Sequence, residues 1–262
     1  MNEPTRRRSA VVTGASRGLG RGIAAALAAE GCDVVVNWSR SEAEAKETAQ
    51  AVEAAGSQAV LAQGDVTDPD VAQQLATIAL DAFGALDVWV NNAGVSVLAP
   101  VLDTSVDDME RMLAVNLMGT FHGMQAAGRT MIATGARGRI VNVASEAAVL
   151  TFKYLGAYAA TKFAVVGLTQ AAALELGEHG ITVNAVGPGT AETDMVMAER
   201  RSEVGITGRS PEAVRASYLD NIPLGRFCEP EDAGALVAWL AGAGASYVTG
   251  QVFLINGGSV LH

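Results

Sequence analysis

Short β-branched runs alternate with longer Ala-rich stretches along the whole chain, and this alternation constrains the fold more than any other feature. Runs at 10–13, 33–37, 59–63, 86–91, 139–144, 182–186 and 252–255 read as strands. Between them, 18–30, 41–55, 69–83, 109–132, 157–178 and 231–240 read as helices, with Ser41 and Asp68 as the expected N-caps of the second and third. The strands are continuously apolar rather than alternating, as strands buried on both faces are. Such strands separated by helices make a doubly wound α/β architecture, a parallel sheet covered on both sides. No linker, repeat or low-complexity block divides the chain. One domain over 9–262 is therefore expected, behind a short solvated tail at 1–8. Residues 193–224 are the irregular region, charged, Met-rich and broken by Gly205, Gly208 and Pro211, and they are the expected lid.

Charge excludes some partners. Against 18 Lys and Arg stand 28 Asp and Glu, a net charge of −10, and so acidic a surface repels phosphate backbones. Nucleic acid is not expected as a partner. The two cysteines, Cys32 and Cys228, form neither a disulfide framework nor a metal spacing, and no metal is expected. Arg6, Arg7 and Arg8 precede an apolar run in the manner of a signal peptide, but Arg17 and Arg21 interrupt it. No apolar window is long enough to span a bilayer. A cytoplasmic protein without membrane contact is the expectation.

Directly after the first strand comes Thr13-Gly14-Ala15-Ser16-Arg17-Gly18-Leu19-Gly20. Glycines there permit a tight turn and let backbone amides approach a pyrophosphate at the positive end of the next helix. Gly14, Ser16, Arg17, Gly18, Leu19 and Gly20 are the candidate phosphate-side residues, although a glycine-rich turn that binds nothing has the same appearance. Strand two ends Val36-Asn37-Trp38-Ser39-Arg40, and the first carboxylate nearby is Glu42. Dinucleotide folds that prefer NAD place an acid here for the ribose hydroxyls. Its absence beside Asn37 and Ser39, with Arg40 and Arg17 as guanidiniums for a 2′-phosphate, favours NADP(H) over NAD(H). An Arg40 that simply faces solvent is the competing reading.

Tyr158 and Lys162 lie four residues apart, on one face of a helix. A free phenol, with a pKa near about 10, is a poor proton donor and acceptor at neutral pH, and a nearby ammonium lowers that value. Tyr158 follows Ser145 by 13 residues, and Ser145 ends an apolar strand at the sheet edge where open α/β folds bind ligands.

With these residues the chain resembles the short-chain dehydrogenase/reductase family over roughly Ser9 to Gly258. The matching segments are Thr13 to Gly20, Asp65-Val66, Asn91 to Gly94, Asn116, Ser145, Tyr158 with Lys162, Pro188-Gly189, Glu192 to Met195 and Tyr247 to Gln251. The resemblance implies a single-domain Rossmann-type fold and a nicotinamide cofactor. It makes Tyr158 the general acid in reduction and general base in oxidation, with Lys162 lowering its pKa and binding the nicotinamide ribose. Ser145 would hold the substrate oxygen, and Asn116 a water leading protons from Lys162 to bulk; a buried structural Asn is the plainer reading of Asn116. Asp65 and Val66 would contact adenine, and Asn92, Ala93 and Gly94 would line the cleft. Backbone after Pro188, through Gly189 and Ala191, with the Thr193 hydroxyl, would hold the carboxamide. Family members are commonly homotetramers, and the apolar faces at 109–132 and 157–178 suit that assembly as well as they suit packing on their own sheet.

Departures from the family pattern bear on the substrate. Glu146 follows Ser145 where small or apolar residues are usual, so it either points to solvent or places a carboxylate at the pocket against anionic substrates. Gly187 and Ala148 stand where Ala and Gly are frequent. The segments 158–173 and 222–226 resemble the branch acting on small diols, polyols and hydroxyketones, whereas the end of strand two resembles NADPH-dependent 3-oxoacyl reductases. A carbonyl reductase for a small neutral ketone, hydroxyketone or diol is the leading expectation. A 3-oxoacyl-thioester (acyl-carrier-protein) reductase is the alternative, and a non-catalytic NADP(H)-binding sensor the alternative from another class.

Overall fold

The structure is a computed structural model describing residues 6–262. The strands β1 (Arg8–Val12), β2 (Cys32–Trp38), β3 (Ala59–Gln63), β4 (Val88–Asn91), β5 (Arg139–Val143), β6 (Thr182–Pro188) and β7 (Val252–Ile255) form a seven-stranded sheet ordered β3-β2-β1-β4-β5-β6-β7. Every pairing is parallel. The chain winds outward from β1 to β3, then returns to lay β4 on the other side of β1. The crevice between the carboxyl ends of β1 and β4 is thus the topological switch point.

Alternation along the strands distributes the core. Ala10, Val12, Val34, Val36, Val141 and Val143 face one helical layer, α1 (Gly18–Ala29), α2 (Glu42–Ala54) and α9 (Pro230–Ala241). Val11, Val35, Trp89 and Ile140 face the other, which contains α3 (Pro69–Phe83), α5 (Gly119–Thr134) and α6 (Gly156–Leu176). Both faces are apolar, which is why the strands read as unbroken runs. On the first face α1 and α9 nearly touch: a Cβ on Gly234 would lie 2.6 Å from the Gly22 carbonyl.

Local chemistry explains most boundaries. Asp68 caps α3 as expected, accepting from Asp70 N at 2.9 Å, and Pro69 opens the helix. Ser41 occupies the N-cap of α2 but makes no capping bond, because its backbone (φ −109°, ψ 79°) is not in the extended conformation that aims the hydroxyl at the first amides. The tail ends earlier than 1–8. Arg8 already pairs in β1, and Arg6 and Arg7 are tied down by Asp87 at 2.8 Å and Asp33 at 3.5 Å; positions 1–5 lie outside the described residues.

Two other expectations are corrected. The helix at 109–132 begins earlier, as α4 (Val106–Met112), and reaches α5 through a π-helical turn at Leu113–Met118. The segment at 193–224 is not irregular. Glycine and proline punctuate it into two helices, α7 (Asp194–Thr207) and α8 (Pro211–Asp220), each started by a side-chain cap, Thr193 and Ser210. Among the described residues no helix is long and apolar enough to cross a membrane.

Candidate active site

A cleft of about 1370 Å³ runs over the carboxyl ends of the strands, and its wall collects nearly every expected residue. At one end the glycine turn bends through left-handed backbone at Gly14 (φ 60°) and Gly18 (φ 55°). It lies flat on the β4 exit. A Cβ on Gly14 would sit 2.8 Å from Ala93 Cα, and one on Gly20 2.5 Å from Asn92 Nδ2. Side chains hold the turn in place. Asn92 Nδ2 donates to the carbonyls of Thr13 (2.9 Å) and Gly14 (3.0 Å), while Thr13 Oγ1 accepts from Asn92 N (2.9 Å) and Ala93 N (3.1 Å). Asn37 Oδ1 accepts from Gly14 N (3.2 Å), and its amide donates to the carbonyls of Ala62 and Gly64 (both 3.2 Å). The Asn37 side chain is therefore committed to the turn, not directed at a ligand.

Helix α1 begins at this turn with no side-chain cap, and Gly18, Leu19 and Gly20 front the cleft. Uncapped first-turn amides beside a turn that any Cβ would fill fit a dinucleotide pyrophosphate. Next to them Asp65 Oδ1 accepts from Thr67 N (3.0 Å) and Thr67 Oγ1 (2.9 Å), setting Val66 on the cleft wall. Ser39 and Arg40 are exposed at the rim, and among the described residues Arg40 has no ion-pair partner. Arg17 does: it meets Glu44 at 3.3 Å and Asp194 at 3.1 Å, clasping the turn to the start of α7. The carboxylate that matters here is thus Glu44 on the inward side of α2. Glu42, the nearer one in sequence, pairs along the helix with Lys46 at 2.7 Å.

At the middle of the cleft Ser145 leaves β5, and α6 brings Tyr158 and Lys162 beside it. Lys162 Nζ donates to the Val143 carbonyl at 2.9 Å and lies 5.7 Å from the Tyr158 ring centroid. Burial lowers the Lys162 pKa to about 8. Burial also pushes the Tyr158 phenol up, helped by the carboxylates of Glu199 and Glu146 and opposed by the Ser145 hydroxyl. The net direction is upward, contrary to the expectation for a phenol beside Lys162, chiefly because of burial, with two acidic groups in the pocket adding to it.

Asn116 lies behind the wall, fully buried in the π turn. Its Oδ1 accepts from Val95 N (2.8 Å), and its Nδ2 donates to Val95 O (2.9 Å) and Thr161 Oγ1 (3.0 Å). The clamp joins the β4 exit to α6, and π turns recur at such functional positions. A Cβ on Gly94 would meet both Asn116 Oδ1 (3.5 Å) and Lys162 Nζ (3.7 Å), so Gly94 keeps the space between them open.

Beyond Ser145 the wall continues through Pro188 and Gly189 at the end of β6, where Gly189 N donates to Ile255 O at 2.9 Å. Ala191 bridges to Cys228, and Thr193 caps α7 by accepting from Val196 N at 3.4 Å. Glu146 is buried at the pocket, not solvated. Its carboxylate accepts from the Ser259 hydroxyl, and burial raises its pKa. One residue escaped the sequence reading altogether: Glu199, buried on the inner side of α7. Its signal was present, since Met195, Val196, Glu199 and Glu203 recur at helical spacing and all line the cleft. Among the described residues, no three His, Cys, Asp or Glu side chains gather as a metal set.

Comparison with known proteins follows the same geometry. A family model described as short chain dehydrogenase matches residues 8–204. An L-2,3-butanediol dehydrogenase of Corynebacterium glutamicum is 42% identical over 250 residues, 95% of this chain and 97% of that one. A 3beta-hydroxysteroid dehydrogenase of Eggerthella lenta is 38% identical over 262 residues, 100% of this chain and 97% of that one. The crystal structure of acetoin dehydrogenase from Enterobacter cloacae superposes with a TM-score of 0.84 at 37% identity, covering 98% of this chain and 96% of that one.

Proposed function

Since the chain belongs to the short-chain dehydrogenase family, we propose that it transfers hydride between NADP(H) and the carbonyl or secondary alcohol of a small neutral ketone, hydroxyketone or diol. The observation that carries this reading is the half-buried Tyr158 phenol beside Ser145 and Lys162, in one cleft with an uncapped glycine-turn helix. Relatives named for butanediol and acetoin support the substrate class.

The residues act on the proton and the geometry. Ser145 Oγ and Tyr158 Oη hold the reacting oxygen. In reduction the phenol donates its proton to that oxygen, and in oxidation the phenolate takes it back. Lys162 would hold a ribose hydroxyl of the dinucleotide and, below its pKa of about 8, carries the charge that favours the phenolate. Asn116 fixes the position of α6 and holds the water through which the Lys162 proton is replaced. The amides of Gly18 to Gly20 would hold the pyrophosphate, Val66 would pack on the adenine, and backbone from Gly189 to Ala191 with Thr193 would hold the carboxamide. The bound dinucleotide supplies the hydride.

Preference for the 2′-phosphorylated cofactor rests on Arg40, exposed at the rim without an ion partner, and on the missing acid at the end of β2. Helices α7 and α8 serve as the lid, with the Arg17–Asp194 pair as its latch. Exposed Met118, Ile132, Phe163 and Leu174, on the α5 and α6 layer, suit a cytoplasmic homotetramer.

The test is oxidation of NADPH and NADH, side by side, with diacetyl, acetoin, an aryl ketone and an acetoacetyl thioester. Turnover of a small ketone with NADPH is expected. Turnover of the thioester alone would make the enzyme an acyl-thioester reductase. Tight cofactor binding with no turnover of any of them would make it a sensor.

A further inference from the structure

Glu199 is the polar group at the lid end of the cleft to which the mechanism above assigns nothing. It is 7% exposed, and among the described residues its carboxylate makes no hydrogen bond and no ion pair within 4.0 Å. The nearest candidate cation is directed elsewhere. Arg200 reaches Glu192 at 3.2 Å and stacks over Phe227 at 4.5 Å and Tyr218 at 5.4 Å. The Ser96 hydroxyl approaches the carboxylate closely enough to favour its charged form, but its buried oxygen meets no partner at good hydrogen-bond geometry. The Glu199 carboxylate and the Ser96 hydroxyl therefore both line the cavity that Tyr158 also lines, and neither is closed by the protein with a hydrogen bond of good geometry. A buried carboxylate without a donor is costly, and an ionised one can only accept, so what completes it must be a donor.

We propose that Glu199 is a specificity-determining residue whose carboxylate accepts a hydrogen bond from a second hydroxyl of the substrate, adjacent to the reacting oxygen held by Tyr158 and Ser145. The substrate is then a vicinal hydroxyketone or diol, not a plain ketone. Glu199, Ser96, Ser145 and Tyr158 all line the same cleft, so a small substrate whose reacting oxygen is held by Tyr158 and Ser145 can offer a neighbouring hydroxyl to Glu199. Ser96 lines the cleft beside Glu199 and shares the same hydroxyl. Ketones that carry a carboxylate are repelled by Glu199 and Glu146 together. The assignment rests on the proposed carbonyl–alcohol chemistry and narrows its substrate.

Matched pairs of small molecules test it on the holoenzyme. Binding of 2,3-butanediol and 2-butanol to the enzyme–cofactor complex is measured by calorimetry, and kcat/KM is measured for acetoin and 2-butanone, in wild type, Glu199→Leu and Glu199→Gln. Wild type is expected to prefer the hydroxylated member of each pair. Glu199→Leu should cut that preference about 10- to 100-fold, the loss of a hydrogen bond to a charged acceptor, and Glu199→Gln, which keeps a carbonyl acceptor, should cut it less. Because each ratio is taken on the same folded protein, a general loss of activity does not mimic the effect. Equal ratios in wild type and Glu199→Leu overturn the assignment, as does a wild type with no preference; should the Leu variant not fold, an unchanged ratio in Glu199→Gln overturns it. A Glu199-dependent preference in binding without turnover of either ketone would reject the proposed reaction and keep this assignment. Turnover without such a preference would do the reverse.

Discussion

The two ends of the cleft are built on opposite plans. At the glycine-turn end nearly every polar side chain is closed by the protein itself: Thr13, Asn37 and Asn92 all bond to backbone, and what faces the cleft is a row of amides. At the α7 end, polar side chains are left open: no ion pair closes the Glu199 carboxylate, and the Ser96 hydroxyl beside it has no partner at good hydrogen-bond geometry. A ligand common to a whole family is met by backbone held rigid, at no reorganisation cost. A ligand particular to one member is met by side chains whose missing partner it supplies, and the unfilled site is destabilising until it does.

The largest effect is expected where the two ends meet. Tyr158→Phe should lower kcat about 10²- to 10⁴-fold while a fluorescence titration with NADPH still saturates, since only the proton-transfer group is lost. Near-normal turnover would remove Tyr158 from the mechanism.

At the rigid end, Gly20→Ala places a methyl 2.5 Å from Asn92 Nδ2, and neither group can yield without breaking the bonds that shape the turn. A loss of about 1–3 kcal/mol in denaturant unfolding is expected, with weaker dinucleotide binding. Unchanged stability would show that the turn is softer than its hydrogen bonds imply.

Arg40→Ala should reduce the NADPH over NADH preference in kcat/KM by about tenfold, the scale of one charge-assisted contact. Equal effects on both cofactors would show that Arg40 faces only solvent.

The smallest effect belongs to the open end. Burial raises the Glu199 pKa above the ordinary 4.5, so the unfolded chain releases this proton before the folded one as pH rises. Wild type therefore loses stability as pH climbs from 4.5 to the raised folded value, and Glu199→Gln does not. The variant should match wild type near pH 4 and melt higher at pH 7, each kcal/mol moving Tm by about 2–4 °C. A lower Tm for the variant at pH 7 would mean that Glu199 has a donor in the protein after all.

Much of this architecture was legible beforehand, for identifiable reasons. Strands buried on both faces must be apolar throughout, so Val34-Val35-Val36 and Ile140-Val141 announced themselves, as did the Asp68-Pro69 start of α3. The π turn around Asn116 was not legible, because a single-residue change of winding leaves the apolar pattern of Met109 to Ile132 intact. The helices α7 and α8 were hidden by their own composition. Arginines, glutamates and glycines read as loop when propensity is summed, yet Thr193 and Ser210 had marked both starts.

Charge separated the two sources of information most sharply. Residue order alone determined that a glycine turn follows the first strand, that Ser145 precedes Tyr158 and Lys162, and that no acid ends strand two. All of these are local relations, set by spacing along the chain. Packing decided that Glu44, not Glu42, meets Arg17, that Lys162 turns to Val143, and that Glu146 and Glu199 from distant segments line one cleft with Tyr158. The strength of an interaction between charges depends on distance and on exclusion of water, and packing sets both.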